Sequence, residues 1–172
     1  MTVDRDEVSW GVEVIQDHLR FLAECERRFG PAQALLQFGK DFGVGTRLPI
    51  GLELGRRKEC FKNATHAMLN REDIFYVEGY AMNIVDLPIP IEHAWLVDGD
   101  GTVIDPTWPN AGDHVYYGVA FKREVVARAI IATNGDAGIL SDPKLSRRLC
   151  ASPERFGECL VPSLTSQICR PG

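Results

Sequence analysis

The sequence lacks the features that would place the protein in a membrane or a secretory pathway. Residues 1–7 are acidic where a secretory signal has a basic stretch followed by an apolar run. No apolar run approaches the ~18 residues of a membrane-spanning helix. Internal repeats and low-complexity segments are also missing. We therefore expect a soluble cytoplasmic protein that does not associate with membranes.

Positive charge is scarce and scattered along the chain. The 172 residues include 19 Lys and Arg against 24 Asp and Glu, a formal net charge of −5. Proteins that bind nucleic acid usually concentrate basic side chains on one face. The sequence therefore predicts no nucleic-acid partner.

Cysteines are few, and none are closely paired. The five lie at positions 25, 60, 150, 159 and 169, so at least one lies outside any intramolecular disulfide. Cys150, Cys159 and Cys169 are too far apart in sequence for the close pairs of a structural zinc site. Free thiols, or one disulfide in an exported form, fit this spacing better. We predict no metal site and no cofactor.

What the chain does contain is enough apolar sequence for one domain, 45% of its residues. Apolar spacing and turn residues predict helices over residues 8–29, 33–38, 60–69, 122–132 and 143–149, and strands over 74–82, 92–97, 102–105 and 115–121. Glycines and prolines predict an irregular connection over 39–56, and residues 134–172 form a less regular tail. We expect a single α+β domain over residues 1–172, with N-terminal helices and the helix of Cys60 packed on an antiparallel sheet.

Cys60 stands at the predicted start of a helix. The positive end of the helix dipole and the preceding cations Arg56, Arg57 and Lys58 favour its thiolate form. A carboxylate from Glu59 would oppose this effect if it faced the thiol. The alternative interpretation of Cys60 is a small buried hydrophobic residue.

His93 and Asp105 lie on neighbouring predicted strands. A tight hairpin centred on Gly99 and Asp100 predicts that Asp105 lies across from Ala94, beside His93. A core histidine and a turn carboxylate are the alternatives if each is taken alone. Together with Cys60 the two residues supply a nucleophile, a base and an orienting carboxylate.

Several motifs occur in a fixed order around these residues. Cys60 opens a helix, Gly79-Tyr80 ends a strand motif, His93-Ala94-Trp95 follows, and Asp105-Pro106-Thr107-Trp108 comes after the hairpin. The set resembles the core of transglutaminase-like cysteine enzymes over about residues 56–121. The resemblance implies a papain-like fold with Cys60 as nucleophile, His93 as general base and acid, and Asp105 as the orienting carboxylate.

Such chemistry also needs donors for an oxyanion, and Gln37, Asn63 and the indole of Trp95 are the candidates. Tyr80, Trp95 and Trp108 are expected to line the cleft or the core. We expect a cysteine-dependent acyl-transfer enzyme that acts on a protein, a peptide or a small amide. Hydrolysis, as by a peptidase, amidase or deamidase, is favoured over amine transfer because an open cleft in a small domain admits water. The alternative is a catalytically inactive module that uses the cleft to hold a peptide.

Overall fold

The computed structural model describes residues 4–135 and 138–166, and within them it is an α+β fold. Its helices are α1 (Arg5–Cys25), α2 (Pro31–Phe38), α3 (Cys60–Leu69), α4 (Arg123–Thr133), α5 (Pro143–Leu149) and α6 (Pro153–Glu158). Its strands are β1 (Lys40–Thr46), β2 (Ile74–Asn83), β3 (Ile91–Asp98), β4 (Val103–Ile104) and β5 (His114–Phe121). Ala111–Asp113 and Pro162–Leu164 form short 3₁₀ helices.

The first two helices begin where their sequences supply partners for free backbone amides. Asp4 and Glu7 form a reciprocal capping box at the start of α1. The carboxylate of Glu26 accepts hydrogen bonds from the amides of Ala32 (2.9 Å) and Gln33 (3.0 Å) at the start of α2, where Pro31 fills a position that needs no amide hydrogen. These contacts fix α2 against the end of α1.

The five strands close into a barrel in the order β1-β4-β3-β2-β5. All neighbouring pairs are antiparallel except β1 with β4, which run parallel. The alternation of side chains along the strands creates two cores. The inner core contains Val77, Trp95, Val97 and Tyr116. The outer core joins the opposite strand faces to the helices, with Ile15, Leu19, Met68 and Phe156 fully buried.

The structure confirms the predicted helix over 60–69 and the strands around 74–82, 92–97 and 115–121. The predicted irregular connection is wrong for residues 40–46, which form β1 with a register shift between Asp41 and Gly43. The tail contains α6 in addition to the expected α5. The sheet also differs from the simple antiparallel sheet that we expected, because β1 closes it through a parallel pair.

None of the helices in residues 4–135 and 138–166 is both long and apolar enough to cross a lipid bilayer. Cys169 lies outside the described residues.

Candidate active site

Cys60 is the first residue of α3, and its side chain is half-buried. The first hydrogen bond of the helix runs from the amide of Asn63 to the carbonyl of Glu59, at 2.8 Å. The amides of residues 60–62 therefore have no partner inside the helix. No described side chain caps this end either. The nucleophile candidate thus stands beside a group of free backbone donors.

The chain reaches Cys60 through a constrained loop. Lys58 adopts a left-handed backbone conformation, with φ at 66°, which costs energy in a residue that is not glycine. The side-chain amide of Asn63 donates to the carbonyl of Arg56 at 2.8 Å and to the hydroxyl of Thr107 at 3.1 Å. Helix α3 is therefore tied both to its own entry loop and to the loop that follows Asp105.

His93 and Asp105 form a buried hydrogen-bonded pair. Nε2 of His93 lies 2.8 Å from Oδ2 of Asp105, and both side chains are almost completely enclosed. With Nε2 in this bond, Nδ1 is the ring nitrogen left to serve another group. The sequence predicted this proximity, and the structure brings the two residues together.

The register behind this contact differs by one residue from the expected one. Leu96 pairs with Ile104 and Val97 with Val103, so the hairpin continues toward Trp95, rather than Ala94, opposite Asp105. A shift of one residue exchanges the two faces of a strand. The observed register places Asp105 on the same face as His93 and Trp95, whereas the predicted one would have directed it to the other face.

Asp105 has a hydrogen-bond donor for each of its lone-pair positions. Oδ2 accepts from His93 and from the hydroxyl of Tyr116 at 2.8 Å. Oδ1 accepts from the amides of Thr107 at 2.7 Å and Trp108 at 3.2 Å. Burial opposes ionisation, but the bond and charge of His93 and the other donors outweigh it and lower the pKa of Asp105. The carboxylate is therefore held as an anion.

This anion changes the protonation of His93. Burial alone would lower the pKa of His93, but hydrogen bonding and charge from Asp105 and Cys60 raise the pKa to about 9. Helix α3, which begins at Cys60, packs against β3, which carries His93. Cys60 thus lies on an element next to the strand of His93, while the direct bond in this site joins His93 to Asp105.

Aromatic rings fix the plane of the imidazole. The rings of His93 and Trp108 stack with centroids 3.8 Å apart and planes 8° apart. On its other side Trp108 stacks on His114, at 4.3 Å. Nδ1 of His114 lies 3.0 Å from the carbonyl of Asn110, and burial lowers the pKa of His114. Trp108 thus lines the site, while Trp95 lies in the inner core.

The structure gives the three oxyanion candidates different surroundings. Gln37 lies on α2 but does not line the cavity beside His93, to which α2 contributes Pro31, Ala32 and Leu35. Asn63 already donates twice, as described above. The indole nitrogen of Trp95 is buried and has no hydrogen-bond partner among the described residues. The free amides at the start of α3 are better placed to receive an oxyanion.

A cavity of about 280 Å³ begins at His93 and at Phe61, the residue after Cys60. Apolar side chains from α1, α2 and the segment after residue 137 form much of its wall. Three carboxylates also line it, those of Glu26, Glu78 and Glu92. The cavity therefore borders His93 and the residue that follows the candidate nucleophile.

Glu78 anchors one wall of this cavity. Its carboxylate accepts hydrogen bonds from Tyr76 (2.6 Å) and from the amides of Ile139 and Leu140, the latter at 2.7 Å. Burial raises the pKa of Glu78. Neither this buried carboxylate nor the role of Tyr116 was predicted, since the strand pattern around each residue gives no sign of its hydrogen-bond partners.

Other titratable side chains do not join the site. His66 is exposed on α3, and Cys25 is exposed at the end of α1. Burial raises the pKa of Cys150 to about 12, which makes its thiol a poor nucleophile. Within residues 4–135 and 138–166, no three His, Cys, Asp or Glu side chains gather in a way that would hold a metal ion.

Comparison of the chain with protein-family models found no match, and comparisons with curated proteins and with solved structures found none either.

Proposed function

We propose that the protein is a cysteine-dependent acyl-transfer enzyme with a transglutaminase-like, papain-like catalytic core. The observation that carries this proposal is the buried contact between His93 and Asp105, with Cys60 at the start of α3, the helix that packs against the strand of His93. A histidine held by a carboxylate and facing a thiol is the arrangement that activates cysteine nucleophiles on unrelated folds.

The proposed reaction begins with an ion pair. With the pKa of His93 raised to about 9, the imidazole is charged at neutral pH. In the proposed reaction the sulfur of Cys60 attacks as a thiolate paired with this imidazolium. The sulfur attacks the carbonyl carbon of an amide and forms a carbon–sulfur bond. The developing oxyanion is stabilised by the free amides at the start of α3.

Collapse of this intermediate breaks the carbon–nitrogen bond, and His93 gives its proton to the leaving nitrogen. The acyl group remains on Cys60 as a thioester, and His93 is neutral. His93 then takes a proton from water, whose oxygen attacks the thioester carbon, and the carbon–sulfur bond breaks. The products are a carboxylic acid, an amine and the original ion pair.

Hydrolysis is the better-supported outcome over amine transfer. The carboxylates of Glu26, Glu78 and Glu92 line the cavity beside His93, and negative charge raises the pKa of an amine, which keeps it protonated and unreactive. A neutral water molecule has no such disadvantage. A catalytically inactive module is less well supported, because the side chain of Cys60 is only half-buried rather than enclosed in the core.

Iodoacetamide labelling at pH 6, with each adduct located by mass spectrometry, tests the reactive thiol. The exposed Cys25 serves as a comparison within the same molecule. We expect Cys60 to label at least about tenfold faster than Cys25, since thiolates and not thiols react. His93→Ala should remove this difference. Equal labelling of the two cysteines in the wild type would contradict the proposal.

Incubation with libraries of peptides and small amides then tests acyl transfer itself. A covalent acyl adduct on Cys60 that hydroxylamine releases would identify the thioester. Cys60→Ala is the matched control, and it should form no adduct. If Cys60 reacts rapidly with iodoacetamide but forms a thioester with none of the amides, the binding module is the better interpretation.

A further inference from the structure

We infer that the cavity beside His93 binds a positively charged side chain of the acyl donor, with Glu92 as its charge partner. This inference rests on the proposed function, because it assigns the cavity to the substrate of the Cys60 reaction. It goes beyond that function in naming a class of substrate: peptides or amides with a basic side chain next to the bond attacked.

The shape and wall of the cavity suit one long side chain. Its volume of about 280 Å³ is just below the ~300–1,000 Å³ typical of small-molecule sites. Leu22, Leu35, Phe61 and Leu140 give it apolar walls along which a methylene stem can pack. Because His93 forms part of the same wall, a side chain bound in the cavity would lie next to the imidazole.

The charges in the cavity favour a positively charged group at the end of that side chain. The residues that line it include three carboxylates and no lysine or arginine. Burial is the largest cause of the raised pKa of Tyr80, and the charge of Glu92 is the next. The charge of Glu92 also contributes to the raised pKa of Glu78. The charged imidazole of His93 also lies in this wall, but it is already paired with Asp105, so the lining residues carry an excess of negative charge.

Of these carboxylates, Glu92 has the most free acceptor positions. Glu26 caps α2 through two backbone amides, and Glu78 accepts from two amides and a phenol. Glu92 accepts only a long hydrogen bond of 3.3 Å from the hydroxyl of Tyr80. Glu92 precedes His93 in β3, and both residues line the cavity, so a cation paired with Glu92 would hold the substrate in the cavity that His93 borders.

The occupant is a cation that does not react. An attacking amine must lose its proton, and carboxylates oppose that loss. A guanidinium or ammonium group on the acyl donor remains charged throughout the reaction and gains from the same field. The cavity therefore fits the acyl donor better than an amine acceptor.

Labelling with matched electrophiles tests the inference. Two acetylated peptidyl acyloxymethyl ketones would carry arginine or its uncharged analogue citrulline next to the electrophilic carbonyl. We expect the arginine probe to label Cys60 about tenfold faster in the wild type, and the preference to shrink as salt rises. Glu92→Gln should reduce the arginine-to-citrulline ratio toward one, whereas Glu13→Gln, which changes an exposed glutamate on α1, should retain it.

The ratio within each variant cancels any general change in thiol reactivity. Equal rates for the two probes in the wild type, or a preference that survives in Glu92→Gln, would overturn the inference while the proposed function stood. If neither probe labelled Cys60 faster than Cys25, the proposed function itself would fail. Should Glu92→Gln not fold, the wild-type ratio and its salt dependence decide the matter.

Discussion

Tyr116 donates its hydroxyl hydrogen to Oδ2 of Asp105 over 2.8 Å, the same oxygen that binds Nε2 of His93. Two donors thus share one carboxylate oxygen. A hydrogen bond from one donor makes the oxygen a weaker acceptor for the other. Tyr116 therefore limits how strongly Asp105 holds the proton of His93. The aromatic residue on β5 therefore acts on the imidazole through the carboxylate.

Tyr116→Phe should shift the alkaline limb of the pH–rate profile upward. Without the phenol, Asp105 becomes a stronger acceptor for His93, and the pKa of His93 rises above its value of about 9. The variant should also lose about 1 kcal/mol of stability with the buried hydrogen bond. Tyr117→Phe is the matched control, since Tyr117 bonds the carbonyl of Leu35 on the other face of β5. A profile that moves equally in both variants would contradict this role.

Asp105→Asn should reduce the rate of acyl transfer by a factor on the order of 10³, because the imidazole loses its orienting anion. The hydrogen bond and charge of Asp105 raise the pKa of His93 against the effect of burial, so the pKa should fall in the variant. NMR titration of the ring nitrogens measures this change. Asp100→Asn, in the exposed turn, should leave both quantities unaltered.

The stability of the protein should decline between about pH 6.5 and pH 9. The pKa of His93 in the folded protein is about 9, above the ~6.5 of a histidine in an unfolded chain. The folded state therefore binds this proton more tightly. The resulting stabilisation is fully present below pH 6.5 and is lost as the pH rises through 9.

Urea denaturation across this range measures the effect. The free energy of unfolding should fall with pH in the wild type and change less in His93→Gln, while His66→Gln, on the exposed face of α3, should follow the wild type. Parallel curves for the wild type and His93→Gln would show that the proton on His93 is not linked to folding.

Glu78→Gln should destabilise the protein by about 2–3 kcal/mol. The new amide group would face one of the two backbone donors of residues 139 and 140, which would then lack an acceptor inside the protein. Thermal unfolding measures this loss, with the exposed Glu72→Gln as its control.

The same variant should change the dependence of stability on pH. Burial raises the pKa of Glu78, so the wild type gives up stability as the pH rises through the unfolded value toward the folded one. Glu78→Gln has no proton to lose and should lack this decline. An identical slope in both proteins would mean that Glu78 ionises as easily in the folded state as in the unfolded chain.

Local patterns in the sequence were enough to predict α3 and its start at Cys60. Apolar residues at helical spacing indicate the helix, and the charged residues before it indicate where it begins. They failed for β1, where Gly43 and Gly45 suggest a loop. Glycine is needed at position 45 because a Cβ atom there would lie only 2.5 Å from the Cβ of Ala111. That contact, like the pairing of β1 with β4, joins residues more than fifty positions apart and leaves no local trace.

The candidate site divides in the same way. Ordered motifs identified Cys60, His93 and Asp105, whereas the hairpin register was wrong by one residue because the turn determines it and the turn type was inferred from composition. Tyr116, Glu78 and Glu92 could not be assigned roles from the sequence. Most of their partners lie on other elements: Asp105 for Tyr116, the amides of residues 139 and 140 for Glu78, and Tyr80 for Glu92.

The stacking of His93 on Trp108 gives the protein an optical reporter. A charged imidazole 3.8 Å above an indole face is a cation–π contact that disappears when the ring loses its proton. An imidazolium is also a far better electron acceptor than a neutral imidazole, so it quenches indole emission. The fluorescence of Trp108 should therefore brighten as His93 is deprotonated, which allows the charge state of the site to be followed without a substrate or a label.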